Sequence, residues 1–180
     1  MEVKIDYFSA TFPLQCDEQD SVLFKVHEMV RCIATYLNVK NYEIVRTKYA
    51  QNNYNYQYFL GEYIILRLDG PLNSYYQRTC HLEMKGNGCR DFENRNKDKN
   101  WINFLLFMAQ LNATFKRIDI AIDDLKGDVV SLKWLLDKIK KRHYISVFKS
   151  KPKPIGTLED GLTIQFGGNE SETELVIYDK

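Results

Sequence analysis

Hydrophobic positions along this chain switch between a period of two and a period near three and a half, and the switches mark out its elements. Residues 3–12 alternate well enough for a first strand, stopped by Pro13. Asp20 and Ser21 then offer caps for a helix whose Leu23, Val26, Val30, Ile33 and Leu37 recur at three- and four-residue steps. That stripe predicts a helix packed on one face of a sheet, with His27 and Cys32 as packing residues. Residues 42–45 read as a short strand and residues 63–68 as a strongly apolar one, ended by the turn Asp69-Gly70-Pro71. Between them, Tyr54, Tyr56 and Tyr58 stand at two-residue spacing. In an extended segment they would share a face, either to cover a sheet or to stack unpaired bases.

Residues 79–84 predict another strand, with His81 and Glu83 on one face. The following Lys85-Gly86-Asn87-Gly88-Cys89-Arg90 is too glycine-rich to extend it and reads as a loop, plain or phosphate-binding, with Lys85 and Arg90 adding charge. A polar connector leads to an apolar helix carrying Trp101, Phe104, Leu105, Met108 and Leu111, which should be largely buried. A second amphipathic helix carries Leu132, Leu135, Leu136 and Ile139 inward, with lysines at its C-terminal end, where they suit the helix dipole. Residues 144–148 predict a strand, residues 151–154 an irregular basic link, and residues 162–166 with 175–178 a closing hairpin. Strands in runs joined by short connections predict an α+β fold, an antiparallel-dominated central sheet with about three packed helices.

The segment between the two later helices has the most unusual pattern. As a strand, Arg117 to Asp123 puts Ile118, Ile120 and Ile122 on one face, read as core, and Asp119, Ala121 and Asp123 on the other. Two acids around an alanine leave room for a cation or a substrate; the alternative is a strand entering an acidic turn. Asp119 and Asp123 lie about 13 Å apart along a regular strand. They cannot both ligate one ion directly while the strand stays straight, so a shared site needs a donor from a neighbouring strand, such as Glu83 or His81.

At 180 residues, 44% hydrophobic and 13% aromatic, the chain is long and apolar enough for one domain, perhaps with a lobe, and is not a disordered one. It has no apolar run of membrane-spanning length and no signal-peptide pattern at its start, which predicts a cytoplasmic protein with no membrane partner. Four cysteines without a close pair suggest neither a zinc site nor a disulfide framework. The formal net charge of +1 hides an asymmetry: between Lys126 and Lys153 nine basic residues face only Asp128 and Asp137. Lys140, Lys141 and Arg142 are the densest part of this patch, which would neutralise phosphates or simply form a solvated helix end.

Taken with Phe166-Gly167, Ser171 and the terminal Tyr178-Asp179-Lys180, the strand Arg117 to Asp123 resembles the replication initiation factor family of rolling-circle plasmid initiators and conjugative-transposon relaxases. Residues 5–12 and 83–90 resemble its transposon-type members. The resemblance covers nearly the whole chain in order. It implies a metal-dependent DNA nickase that rejoins strands through a covalent phosphotyrosine, with Tyr178 as nucleophile. Lys180, two residues on, would help the phenol, which is mostly protonated at neutral pH. Glu83, Asp119 and Asp123 are the candidate acids for Mg²⁺ or Mn²⁺, and Lys85, Arg90, Arg117, Lys140, Lys141 and Arg142 the candidate DNA contacts. The implied partners are origin DNA, single-stranded or in a hairpin, then a helicase and a second copy of the chain.

Two arginines of the family pattern are replaced, by Asn169 and Val176. The family also runs on past the tyrosine with paired glutamates, so the chain is expected to be truncated. Two other readings follow: an origin-binding remnant that does not cut, and an unrelated α+β interaction domain.

Overall fold

The computed structural model describes residues 2–14, 21–73, 77–98, 100–123, 130–148, 150–168 and 173–178. The chain divides into two compact units, Val3–Ile122 and Asp123–Lys180 with the first two residues.

The first unit is a six-stranded sheet. Its strands are β1 (Glu2–Pro13), β2 (Ile44–Arg46), β3 (Tyr56–Leu60), β4 (Ile64–Leu68), β5 (Thr79–Lys85) and β6 (Thr114–Asp123), in the order β2-β3-β4-β5-β1-β6. The ladders from β2 to β1 are antiparallel: Phe8 pairs with Met84, Ser9 with Glu83 and Thr11 with His81, while Leu66 pairs with Leu82. This register gathers every second side chain on one face. Phe8, Ala10, Phe12, Leu60, Ile64, Leu66, Leu82 and Met84 are buried there against the helices α1 (Val22–Tyr36), α2 (Gly86–Arg95) and α3 (Trp101–Gln110). The centre of this core is aromatic, with the Phe104 ring 5.0 Å from Phe8 and 4.9 Å from Phe92, both in tilted or edge-on arrangements that suit ring quadrupoles.

α1 buries Val26, Val30, Ile33 and Ala34 as its periodicity requires, but Leu23, His27 and Cys32 are exposed. Ser21 occupies the N-cap position without making a side-chain cap bond, and Asp20 lies outside the described residues. α3 is buried on one face only, through Phe104 and Met108, while Ile102 and Leu106 face outward.

The glycine-rich stretch after β5 is not a loop but the first turn of α2. A helix begins there because its far side is well anchored. Cys89 and Phe92 are fully buried, and Arg95 binds both Asp91, at 2.8 Å, and Glu43, at 2.7 Å. Gly88 is required by contact: a Cβ would sit 2.9 Å from the Tyr63 carbonyl oxygen. Glycine to alanine inside a helix normally stabilises by roughly 1 kcal/mol. Here the clash outweighs that gain, and Gly88→Ala is expected to cost about 1–3 kcal/mol in urea unfolding. A stabilised variant would show that α2 does not seat this closely.

The second unit packs α4 (Leu132–Lys140) on a three-stranded antiparallel sheet of β7 (Lys153–Ile155), β8 (Thr163–Phe166) and β9 (Leu175–Tyr178), in that order. Leu132, Leu135, Leu136 and Ile139 meet Leu162, Ile164 and Phe166 in its small core. The Ser131 hydroxyl caps α4 by accepting from the Trp134 amide. Residues 144–148 form no strand, and the basic link expected to be irregular supplies β7 instead. Ile145 and Val147 are fully exposed, so the alternating pattern there has no core to fill.

Candidate nucleic-acid interface

The sheet face away from the helices is polar. Tyr7, Ser9 and Thr11 of β1 share it with His81, Glu83 and Lys85 of β5 and with Arg67 and Gln57 beyond them. Arg67 is at its centre. Its guanidinium donates to Glu83 Oε2 at 2.8 Å and to Gln57 Oε1 at 3.0 Å, and its side chain is only 4% exposed. Tyr7 donates to the other Glu83 oxygen at 3.1 Å, with Lys85 Nζ at 3.8 Å. Burial pushes the Glu83 carboxyl up, but the Arg67 bonds and charge, with help from Tyr7 and Lys85, outweigh it and hold the group below the usual range. Burial beside Glu83 pushes the Tyr7 phenol up.

His81 accepts from or donates to the Thr11 hydroxyl at 3.1 Å. Burial, then the charges of Arg67 and Lys116, lower its pKa against the opposing pull of Glu83. The fold therefore favours the neutral ring. A histidine depressed in the fold binds its proton more readily when unfolded, so stability falls as pH drops below the ordinary value of 6.5. The depressed Glu83 removes a second contribution below 4.5. Urea midpoints are accordingly expected to drop between pH 7.5 and 5.5, and the drop should shrink in His81→Gln. An unchanged slope would show that His81 does not carry it.

On β6, Arg117 reaches Asp119 through two bonds, at 2.7 and 2.5 Å, and its guanidinium lies 4.8 Å over the Tyr7 ring. The isoleucines are not core: Ile118, Ile120 and Ile122 are 38, 65 and 58% exposed. Their alternation is that of a strand with a core face, but β6 is the terminal strand of the sheet and these side chains stay open to solvent. The Asp123 side chain lies outside the described residues.

The other expected DNA contacts fall in three settings. Lys85 is mostly exposed at the edge of the polar face. Arg90 is committed elsewhere, its Nη2 donating to the Ile5 carbonyl and its Nε facing Glu93, so that it ties α2 to β1. Lys140, Lys141 and Arg142 are exposed at the end of α4, with Lys141 bonded to Asp137. Tyr178 pairs with Thr163 at the end of β9. Its neighbour Ile177 packs toward the small core, which leaves Tyr178 47% exposed on the opposite face. Lys180 lies outside the described residues, as do Lys126, Lys149, Asn169, Ser171 and Asp179.

Arg67 is the residue sequence reasoning missed. Its signal was present: one arginine inside the apolar run Ile64-Ile65-Leu66-Arg67-Leu68. A charge that must be buried needs a partner, and Glu83 is the acid that the neighbouring strand offers.

This helix-backed antiparallel sheet is the α+β architecture of a solved rolling-circle replication initiator protein from Geobacillus stearothermophilus. The two superpose with a TM-score of 0.71 at 26% identity, over 98% of this chain and 67% of that one. Residues 113–180 match the replication initiation factor model, and residues 20–108 match the model of the rolling circle replication initiation protein N-terminal domain. A Bacillus subtilis protein described as "Putative DNA relaxase NicK" is 34% identical over 166 residues, 88% of this chain and 46% of the relative. The chain belongs to the replication initiation factor family. It spans about half the length of that curated relative. No helix among the described residues is long and apolar enough to cross a membrane.

Proposed function

We propose that this chain nicks and rejoins one DNA strand to start rolling-circle replication or conjugative transfer, with Tyr178 as the nucleophile. The carrying observation is the placement of Tyr178 on the exposed face of β9, within the same matched segment as the Arg117 to Asp123 strand. The Tyr178 oxygen attacks the scissile phosphorus and its proton passes to solvent or a base. The bond from phosphorus to the 3′ oxygen breaks, leaving a 5′-phosphotyrosine and a 3′ hydroxyl. Attack by that hydroxyl on the phosphotyrosine reverses the step and rejoins the strand. Extension from the nick requires the duplex ahead to open, so a helicase is the partner this role implies.

Mg²⁺ or Mn²⁺ would offset charge on the phosphate when bound. The described acids fit such an ion unequally. Glu83 is the counter-ion of a buried arginine, and a metal ion taking its place beside Glu83 would strand that guanidinium. Asp119 is paired with Arg117, whose side chain is 62% exposed and can turn away into water, so Asp119 is the described acid free to serve. No group of three metal-ligating side chains occurs among the described residues.

The test is incubation of the purified chain with end-labelled single-stranded oligonucleotides from its own replicon and Mg²⁺ or Mn²⁺, followed by a denaturing gel. A protein–DNA band that resists denaturation supports the nickase. Salt-sensitive binding with no such band supports instead the origin-binding reading.

A further inference from the structure

We propose that the cavity between Tyr54, His81 and Lys116 is a nucleotide subsite, taking one unstacked base of single-stranded DNA against Tyr54 and its phosphate against Lys116. This rests on the reading of the chain as a DNA-acting protein and names a place where the strand is held.

The cavity, of about 440 Å³, opens on the polar sheet face and lies wholly within the first unit. Its walls include Thr11, Asn52, Tyr54, Thr79, His81 and Lys116, and no acid among the described residues lines it. Lys116 makes no ion pair among the described residues, and its charge is among those that bear on His81. A cation on a cavity with no described acid in its walls favours an anionic ligand, and the volume suits a small organic molecule better than a bare ion.

The aromatic wall is fixed in place. A Cβ on Gly70 would lie 2.2 Å from the Tyr54 ring, so the ring rests directly on that backbone. The loop carrying it turns through Asn52 and Asn53, both at positive φ. It is fastened where the Asn55 amide donates to the Asp69 carbonyl and the Asn55 side chain to the Asp69 carboxylate. Arg78 holds that carboxylate from the other side at 2.6 Å. The His81 ring stands 6.3 Å from Tyr54, tilted by 39°. With Nδ1 engaged by Thr11, the second His81 nitrogen is left for a base edge, and Asn52 also lines the cavity.

Of the three tyrosines in this stretch, only Tyr54 is available for stacking here. Tyr58 is buried in the core, and the Tyr56 ring is covered by the Arg46 guanidinium, 4.9 Å away. Stacking on Tyr54 requires an unpaired base, which restricts the site to a single strand or an unpaired loop.

The experiment is fluorescence anisotropy of the full chain with labelled 12-mers of dT, dA, dC and dG across a salt series. Tyr54→Ala should lower affinity about tenfold and Tyr54→Phe should retain it. Gly70→Ala, which touches no DNA, should reproduce the loss by displacing the ring. Lys116→Gln should reduce the slope of log affinity against log salt by about 0.7. Affinity of Tyr54→Ala within twofold of the parent for all four oligonucleotides, in a protein with unchanged circular dichroism, overturns the subsite, as does an unmodified chain that binds none of them. An adduct at Tyr178 with no Tyr54 effect removes the subsite alone. Tyr54-dependent binding without an adduct removes the nickase reading alone.

Discussion

Tyr178→Phe is expected to abolish the covalent protein–DNA band, a loss of at least about a thousandfold, while leaving the fold and DNA binding intact. The substitution removes one oxygen and keeps the ring. Because that ring lies on the exposed face of β9, opposite the side on which Ile177 packs, stability should change by no more than about 0.5 kcal/mol. A lost band therefore reports chemistry and not unfolding. The same chain should still shift a labelled oligonucleotide at low salt, since the cations on α4 and β6 are untouched. A band of unchanged intensity would move the nucleophile to another residue.

Arg67→Ala should be among the most destabilising single changes in the first unit, at about 3–5 kcal/mol. The side chains of Arg67 and Glu83 are 4% and 12% exposed, so truncation leaves a carboxylate with little water and without its main partner, and leaves Gln57 short of a donor. Glu83→Gln should cost less, because the amide oxygen still accepts from the guanidinium. The joint replacement Arg67→Met with Glu83→Leu should recover much of the loss, since apolar pairs of similar volume fill such sites without a desolvation cost. Urea unfolding of the four proteins checks this. A double variant no more stable than Arg67→Ala would show that the two charges do not act as a pair.

Much of the first unit was legible because its face-to-face alternation is regular. β1, β5, α1 and α3 all lie where their periodicity puts them, and His81 and Glu83 share a face as their spacing requires. α2 was not legible, because glycines at 86 and 88 argue against a helix locally. What decides the matter is burial of Cys89 and Phe92 and the long-range grip of Arg95 on Glu43, neither of which a local window contains. At 144–148 the error ran the other way, since an alternating pattern has no force without a surface to bury it on. In the candidate site, the positions of Tyr178 and Asp119 on their strands follow from the motifs. That Glu83 answers to Arg67 required the register of β4 on β5, which sequence spacing does not contain.

The place of β1 in the sheet sets a timetable for synthesis. It is made before both of its neighbours, β5 and β6, which are encoded far downstream. At roughly 5–20 residues per second, the interval between the end of β1 and the end of β5 is about 4–14 seconds on the ribosome. Through that time Phe8 and Phe12 have no sheet to join, and both hydrogen-bonding edges of the strand are open. The nascent chain therefore passes through a window in which β1 is an unpaired apolar strand, and the window begins to close only when β5 has emerged.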